Sequence, residues 1–89
     1  MRIIKQPVSV SASAHFPADV RVIAVGDDLK YAWYFKNPGG TKFSYSSSFT
    51  SDCYSVRMDS TRNGRQIYCV VTDKYGNSVQ SDTVTISMK

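Results

Sequence analysis

Two strand-forming segments constrain the fold of this chain more than any other feature. Residues 31–35 form an aromatic run, and Trp33, the only tryptophan, stands in its middle. A second run, residues 67–73, contains Cys69, which comes 36 positions after Trp33. In a two-layer β-sandwich a single large indole in mid-strand fills the centre of the core. We therefore predict a sandwich with Trp33 at its centre.

The composition agrees with one all-β domain. The chain has 89 residues, enough for one compact hydrophobic core. It contains six Tyr and four Phe with many Val, Ile, Thr and Ser, whereas Leu is nearly absent. Residues of these types favour strands over helices. We predict a single domain over residues 1–89, without room for a catalytic domain that closes a lid over its substrate.

Strand-like segments recur at short intervals, and turn residues separate them. This spacing is typical of a sandwich or barrel and not of alternating strands and helices. Pro7 is expected to open the first strand at a sheet edge, because proline has no backbone N–H to donate to a ladder. We predict seven or eight strands, which include residues 8–12, 20–24, 30–36, 41–45, 52–59, 67–73 and 83–88.

Alternation along two of these strands leaves aromatic side chains on the outer face of one sheet. Tyr34 and Tyr68 point outward on adjacent strands together with Val70, and Lys36 flanks them at a strand end. Such a face is suited to bind a protein partner or a sugar ring. Aromatic side chains on strands also serve cross-strand packing alone. The sequence leaves both roles open.

The loops provide a second candidate surface. Asp27 and Asp28 lie in one loop, and Lys74, Tyr75 and Asn77 lie in another. Calcium prefers several carboxylate oxygens, but the aspartates lack the Asp-x-Asp-x-Asp-Gly spacing of a calcium loop. We therefore expect no metal site and treat these five residues as candidate contacts for a ligand or partner.

No set of side chains is spaced for catalysis. His15 is the only histidine, and it lies in a loop segment without a neighbouring nucleophile. Cys53 follows Asp52, whose negative charge opposes formation of a thiolate. We predict that the protein is not an enzyme and has no cofactor.

Charge and hydropathy argue against two kinds of partner, nucleic acid and membrane. Eleven basic and seven acidic residues give a formal net charge of +4, but the basic residues are scattered singly, so we expect no nucleic-acid partner. No stretch approaches the roughly 20 apolar residues of a membrane helix, and the first residues lack the apolar core of a signal peptide. We expect a monomeric module that does not insert into a membrane.

Five short motifs occur in an order and spacing that resemble a known family. They are QP at residues 6–7, GDDLKYAWY at 26–34, RNGRQIYCVVTD at 62–73, GNSV at 76–79 and SDTVTI at 81–86. Together they resemble a bacterial immunoglobulin-like domain of the type found in tandem in Gram-positive surface and secreted proteins. Related modules occur in phage structural proteins. The resemblance implies an immunoglobulin-like β-sandwich of two antiparallel sheets with Greek-key connections.

The resemblance also implies a function. It is that of a non-catalytic extracellular module, a spacer, stalk or adhesion unit at the cell surface, whose partners are the neighbouring domains of the same parent chain. The alternative is a module that binds a host glycan or protein through the outer sheet face or the loops. In that case display on a phage particle is a second setting.

The sequence departs from the antibody-type pattern at the disulfide. In that pattern a cysteine on the second strand is bridged to one on the sixth strand, across the tryptophan. Cys69 matches the second cysteine, but Val22 stands eleven residues before Trp33, where the first would be. The resemblance thus implies that Cys69 is a buried free thiol near Trp33 and Val22. Tyr54 and Val56 are expected to close over the indole.

Two further departures concern Cys53 and Ile67. Cys53 has the outward phase on a strand of the opposite sheet, and a disulfide needs a Cα separation of about 4.4–6.8 Å, so a bridge to Cys69 is not expected. Ile67 stands two residues before Cys69, where related domains carry a tyrosine that bonds back to the preceding corner. We expect that hydrogen bond to be absent.

Overall fold

A computed structural model describes residues 1–89, and all of its regular structure is β-strand. The ten strands are β1 (Arg2–Lys5), β2 (Val10–Ala12), β3 (Pro17–Arg21), β4 (Ile23–Val25), β5 (Lys30–Lys36), β6 (Ser44–Ser46), β7 (Cys53–Arg57), β8 (Arg65–Thr72), β9 (Ser78–Gln80) and β10 (Val84–Met88). The structure contains no helical segment that could span a membrane.

The larger layer is a six-stranded sheet built on β5 and β8. These two strands pair antiparallel from Lys30 opposite Thr72 to Lys36 opposite Gln66, and this register puts Trp33 opposite Cys69. β6 pairs with the other edge of β5, and β9 and β10 pair with the other edge of β8. β2 lies beside β10 and runs parallel to it.

The second layer consists of two short antiparallel pairs. β3 pairs with β7 from Pro17 opposite Arg57 to Arg21 opposite Cys53, and β4 pairs with β1. Only Val22 separates β3 from β4, and its N–H donates to the Asp52 carbonyl at 3.0 Å. The predicted strand 20–24 is therefore interrupted at the point where its pairing partner changes.

The N-terminal segment crosses from one layer to the other. β1 belongs with β4 and β2 with β10, and Pro7, between them, is buried. The Gln6 side chain accepts a hydrogen bond from the Asp82 N–H at 2.9 Å, and the Ser9 hydroxyl accepts one from the Thr85 N–H at 3.0 Å. Pro7 thus lies at the crossing between the layers, and our prediction that it opens the first strand is wrong.

The core lies between the two layers. Trp33 on β5 and Tyr54 on β7 are both buried, and their ring centroids are 5.9 Å apart. The Trp33 Nε1–H donates to the Ser51 carbonyl at 2.7 Å. Other fully buried side chains, contributed by strands of both layers and the segments beside them, are Met58, Ile67, Ile86, Val20, Val22, Val71 and Cys69.

The prediction of an all-β sandwich is confirmed, whereas several details of its strands are different. There are ten strands because the predicted strand 20–24 covers parts of two, β3 and β4, and because β1 and β9 lie outside the seven predicted segments. The predicted strand 41–45 is displaced to Ser44–Ser46, since the chain still bends at residues 41–42 after the turn at Gly39. The parallel pair of β2 and β10 also means that the sheets are not wholly antiparallel.

Candidate functional site

The outer face of the larger sheet carries four aromatic side chains that touch one another, here called the aromatic cluster: Phe43, Tyr34, Tyr45 and Tyr68. Tyr34 and Tyr68 lie opposite each other on β5 and β8, and their rings stack with centroids 5.1 Å apart and planes 14° apart. Tyr45 on β6 lies on the other side of Tyr34, with centroids 5.6 Å apart. Phe43 meets Tyr68 edge-on at 4.8 Å.

The stacking determines which ring of the aromatic cluster is exposed to solvent. Tyr34 and Tyr68 are half-buried because each covers a face of the other, as in cross-strand packing. Tyr45 is 54% exposed, so it is the ring of the cluster that remains open to a ligand. The Lys36 ammonium lies 5.2 Å from the centre of the Phe43 ring, within the range of a cation–π contact.

Sequence reasoning placed Tyr34, Tyr68, Val70 and Lys36 near one face, and it missed Tyr45 and Phe43. The first three residues follow from the alternation of two long strands. Tyr45 depends on the register of the three-residue β6, which pairs Tyr45 with Tyr34. The run of Phe43, Ser44 and Tyr45, with two aromatic residues two positions apart, was the available signal.

A groove of about 330 Å³ opens beside Tyr45. We call it the Tyr45 groove; its lining residues are Leu29, Lys30, Tyr31, Ala32, Tyr45, Thr50, Val70 and Thr72. It exists because β6 pairs only with Trp33 to Phe35 of β5, so the beginning of β5 has no neighbour on that side. Ala32 and Val70, which lie opposite each other on β5 and β8, belong to its apolar part.

The structure brings most of the candidate loop residues together at one end of the sandwich. The Lys74 N–H donates to the Asp27 carbonyl at 3.1 Å, and the Tyr75 hydroxyl lies 3.4 Å from the Asp27 carboxylate. The Lys74 ammonium lies 5.2 Å from the centre of the Tyr75 ring. Asp28 has a positive φ of 50° and lines a separate open cavity together with Lys74. No group of three or more His, Cys, Asp or Glu side chains is placed to hold a metal ion.

Asp73 organises this loop through hydrogen bonds of its carboxylate. Its carboxylate accepts hydrogen bonds from the Tyr75 N–H at 2.9 Å and from the Asn77 N–H at 3.0 Å, and the Asn77 amide donates a third at 3.1 Å. Burial opposes ionisation of this carboxylate, but the bonds from Asn77 and Tyr75 outweigh it and lower the pKa of Asp73. These hydrogen bonds to Asp73 hold Asn77 in the turn.

Neither cysteine is bridged, and neither has the surroundings of a nucleophile. Cys69 is buried, and burial raises the pKa of its thiol to about 12. Cys53 is half-buried, and its pKa is also raised, first by burial and then by Asp19 and Asp52 against the opposing effect of Arg21. Both thiols are therefore protonated near neutral pH, and only Cys53 is partly accessible.

His15 is exposed, and its contacts are made by its backbone. Its N–H donates to the Met58 carbonyl at 2.8 Å, and its carbonyl accepts from the Arg57 guanidinium at 3.0 Å. Its positive φ of 71° suits a tight turn between β2 and β3. These contacts give His15 a role in the turn.

Comparison of the chain with protein-family models and with curated protein sequences found no match.

Proposed function

We propose that this domain is a non-catalytic module that spaces its neighbours in a multidomain extracellular protein, in the manner of the bacterial immunoglobulin-like domains that its motifs resemble. The observation that supports this is the position of the two chain ends. A module that is joined in series extends a chain only if the chain enters at one end and leaves at the other.

The N-terminus lies at the end that carries the Asp27 loop. A Cβ atom added at Gly26 would lie 2.9 Å from Cγ of Met1, so Met1 packs against the residue just before Asp27. The N–H of Lys74, which follows β8, donates a hydrogen bond to the Asp27 carbonyl. Met1 is therefore near the end at which β8 finishes.

The C-terminus lies at the opposite end. The Met88 N–H donates to the Asn63 side chain at 2.9 Å, and Asn63 comes just before the start of β8. At about 3.3 Å per residue, the eight residues of β8 hold these two ends roughly 26 Å apart. Further copies or other domains attached at both termini would extend along the 40 Å axis of the sandwich.

A chain of two copies joined in series tests the spacing function. Small-angle scattering should show a maximum dimension larger than that of the single domain by about the long axis of one module, 40 Å. The single domain is the control. A two-copy chain that is no longer than the single domain would show that the modules fold back on each other, and would contradict the proposal.

The second candidate function is recognition of a glycan or protein through the aromatic cluster, at a bacterial surface or on a phage particle. The specific support is that Tyr45 stays exposed beside a groove although the other rings of the cluster are packed. Aromatic side chains of this kind are enriched where proteins bind partners.

A glycan and cell-adhesion screen of three proteins tests this second function. The wild type is compared with the triple variant Tyr34→Ala, Tyr45→Ala and Tyr68→Ala, which removes the exposed ring together with the stacked pair, and with the loop variant Tyr75→Ala. If the cluster binds, the triple variant loses the ligand and the loop variant keeps it. Equal binding by all three proteins would exclude the aromatic cluster.

A further inference from the structure

The Tyr45 groove combines three kinds of surface in a small space. Its apolar part is formed by Leu29, Tyr31, Ala32 and Val70, and the Tyr45 ring, more than half exposed, borders it. Hydrogen-bonding groups are contributed by Lys30, Thr50 and Thr72. The volume of about 330 Å³ lies at the lower end of the range for small-molecule sites.

This combination matches the surface of a sugar ring. A pyranose has a face of C–H groups that packs on an aromatic ring, while its edge carries hydroxyl groups that both donate and accept hydrogen bonds. The hydroxyls of Thr50 and Thr72 also donate and accept hydrogen bonds, and the Lys30 ammonium donates them. An apolar peptide side chain would use the ring and leave these polar groups without partners, which costs free energy when they are desolvated.

The charges around the groove favour a neutral ligand. Lys30 is its only cationic lining residue, and it also lines the adjoining open cavity, in which Lys74 supplies a second ammonium group and Asp28 and Asp73 supply two carboxylates. The two negative charges thus balance the two positive ones around the groove. A sulfated or carboxylated sugar therefore gains little from charge here.

We propose that the Tyr45 groove binds one neutral pyranose residue of a glycan, with the C–H face of the sugar against Tyr45 and its hydroxyl groups at Lys30, Thr50 and Thr72. This inference rests on the second candidate function, recognition, and it names the ligand class and the place. One open, shallow subsite implies weak binding, in the millimolar range, unless several copies of the domain act together.

Titration of the isotope-labelled protein with methyl glycosides, followed by NMR, tests the inference. The probes are the methyl β-pyranosides of glucose, galactose and N-acetylglucosamine, and cyclohexanol serves as an apolar ring of similar size. We expect at least one glycoside to shift the amide signals of Ala32, Val70 and Thr72 in a saturable way. Cyclohexanol should shift them much less, because it offers a single hydroxyl group.

Three variants locate the site. Tyr45→Ala should lose at least tenfold in affinity because it removes the aromatic wall, and Ala32→Leu should lose binding because it fills the groove. Phe16→Ala, which removes an aromatic side chain that is 64% exposed in the turn between β2 and β3, is the matched control and should bind like the wild type. Tyr45 is exposed enough for its variant to keep the fold, which an unchanged dispersion of the other amide signals would verify.

Each alternative outcome contradicts the inference in a recognisable way. Saturable shifts confined to the loop around Tyr75 and Asn77 would overturn the location and leave recognition as a function. Equal shifts by cyclohexanol and the glycosides would overturn the ligand class. If no glycoside causes a saturable shift, the inference fails, while protein recognition and spacing keep their own tests.

Discussion

At the scale of single residues, Trp33 connects the strands of one layer with the chain that leads into the other. Its indole is buried against Tyr54 of β7, and its N–H is bonded to the carbonyl of Ser51, just before that strand begins. No disulfide joins the layers, so packing around this side chain has to supply the stability that a bridge of about 2–5 kcal/mol gives to many small secreted domains.

Replacement of Trp33 by alanine should therefore be severe. The change removes the largest fully buried side chain and leaves a cavity, for which we expect a loss of about 3–5 kcal/mol in the free energy of unfolding. Urea denaturation measures this loss. Trp33→Phe keeps an aromatic ring but loses the hydrogen bond to Ser51, so its free energy of unfolding should lie between those of Trp33→Ala and the wild type. An alanine variant with an almost unchanged denaturation midpoint would show that the indole is not central.

The two thiols should differ in reactivity. Cys53 is partly accessible, whereas Cys69 is fully buried with a raised pKa of about 12. With an aromatic disulfide reagent at neutral pH, we expect slow modification of Cys53 and none of Cys69 until the protein is unfolded. Modification of two thiols at equal rates in the native protein would contradict the buried position of Cys69. The variant Cys53→Ser isolates the signal of Cys69.

Asp73 should make stability depend on pH in the acid range. Its pKa is lowered in the folded protein, so the stabilisation is complete above the pKa of an unfolded aspartate, about 3.9, and is lost as the pH falls through the folded value. Melting temperatures measured from neutral pH downward should fall more steeply for the wild type than for Asp73→Asn. Parallel curves for the two proteins would mean that the carboxylate does not hold the turn.

At the scale of elements, the long strands could be predicted and the short ones could not. β5 was predicted with its observed limits, because seven alternating residues carry a clear period. β1 and β6 contain four and three residues, too few to show a period, and their limits are set by the register with their partners, β4 and β5. The same reason explains the site: Tyr34 and Tyr68 follow from alternation, while the Tyr45 groove depends on where β6 ends.

The turn before β8 also depends on a feature that the sequence indicated. An Asn-Gly pair such as Asn63-Gly64 favours a tight turn, and Gly64 has a positive φ of 93° while its N–H donates to the Ile86 carbonyl at 2.8 Å. An added Cβ would lie 3.1 Å from Cγ of Pro38. Glycine is thus favoured both by the backbone angle and by the neighbouring ring.

Alanine at Gly64 and at Gly39 separates these two effects. Gly39 has a positive φ of 80°, but nothing lies within 4 Å of an added Cβ, so Gly39→Ala should cost only the backbone term of about 1 kcal/mol. Gly64→Ala should cost more, because the Pro38 ring has to move. Thermal denaturation of both variants measures the difference, and equal losses would show that the contact with Pro38 is relieved without cost.

At the scale of the whole molecule, the features that matter are the length of the sandwich and the position of its ends. The domain measures 40 by 24 by 20 Å, and its two chain ends lie near opposite ends of β8. Its net charge of +4 comes from basic residues distributed along the chain. The proposed spacing function depends on this position of the ends.

The parallel pairing of β2 with β10 has a mechanical consequence for such a chain. Tension applied through Met1 and Lys89 would pull β2 toward its beginning and β10 toward its end, and the two strands would slide along each other. The ladder runs from Val10 opposite Ile86 to Ala12 opposite Met88. All of its hydrogen bonds bear the shearing force at the same time, so they have to break together before the strands separate.

Force spectroscopy should reveal this resistance. Handles at Met1 and Lys89 should require a higher unfolding force than handles at Asn63 and Lys89, which lie at one end and would peel β10 from β8 one bond at a time. Equal forces in the two geometries would contradict the expectation. Three residue pairs between strands distant in sequence would thus set how much tension the module withstands before it opens.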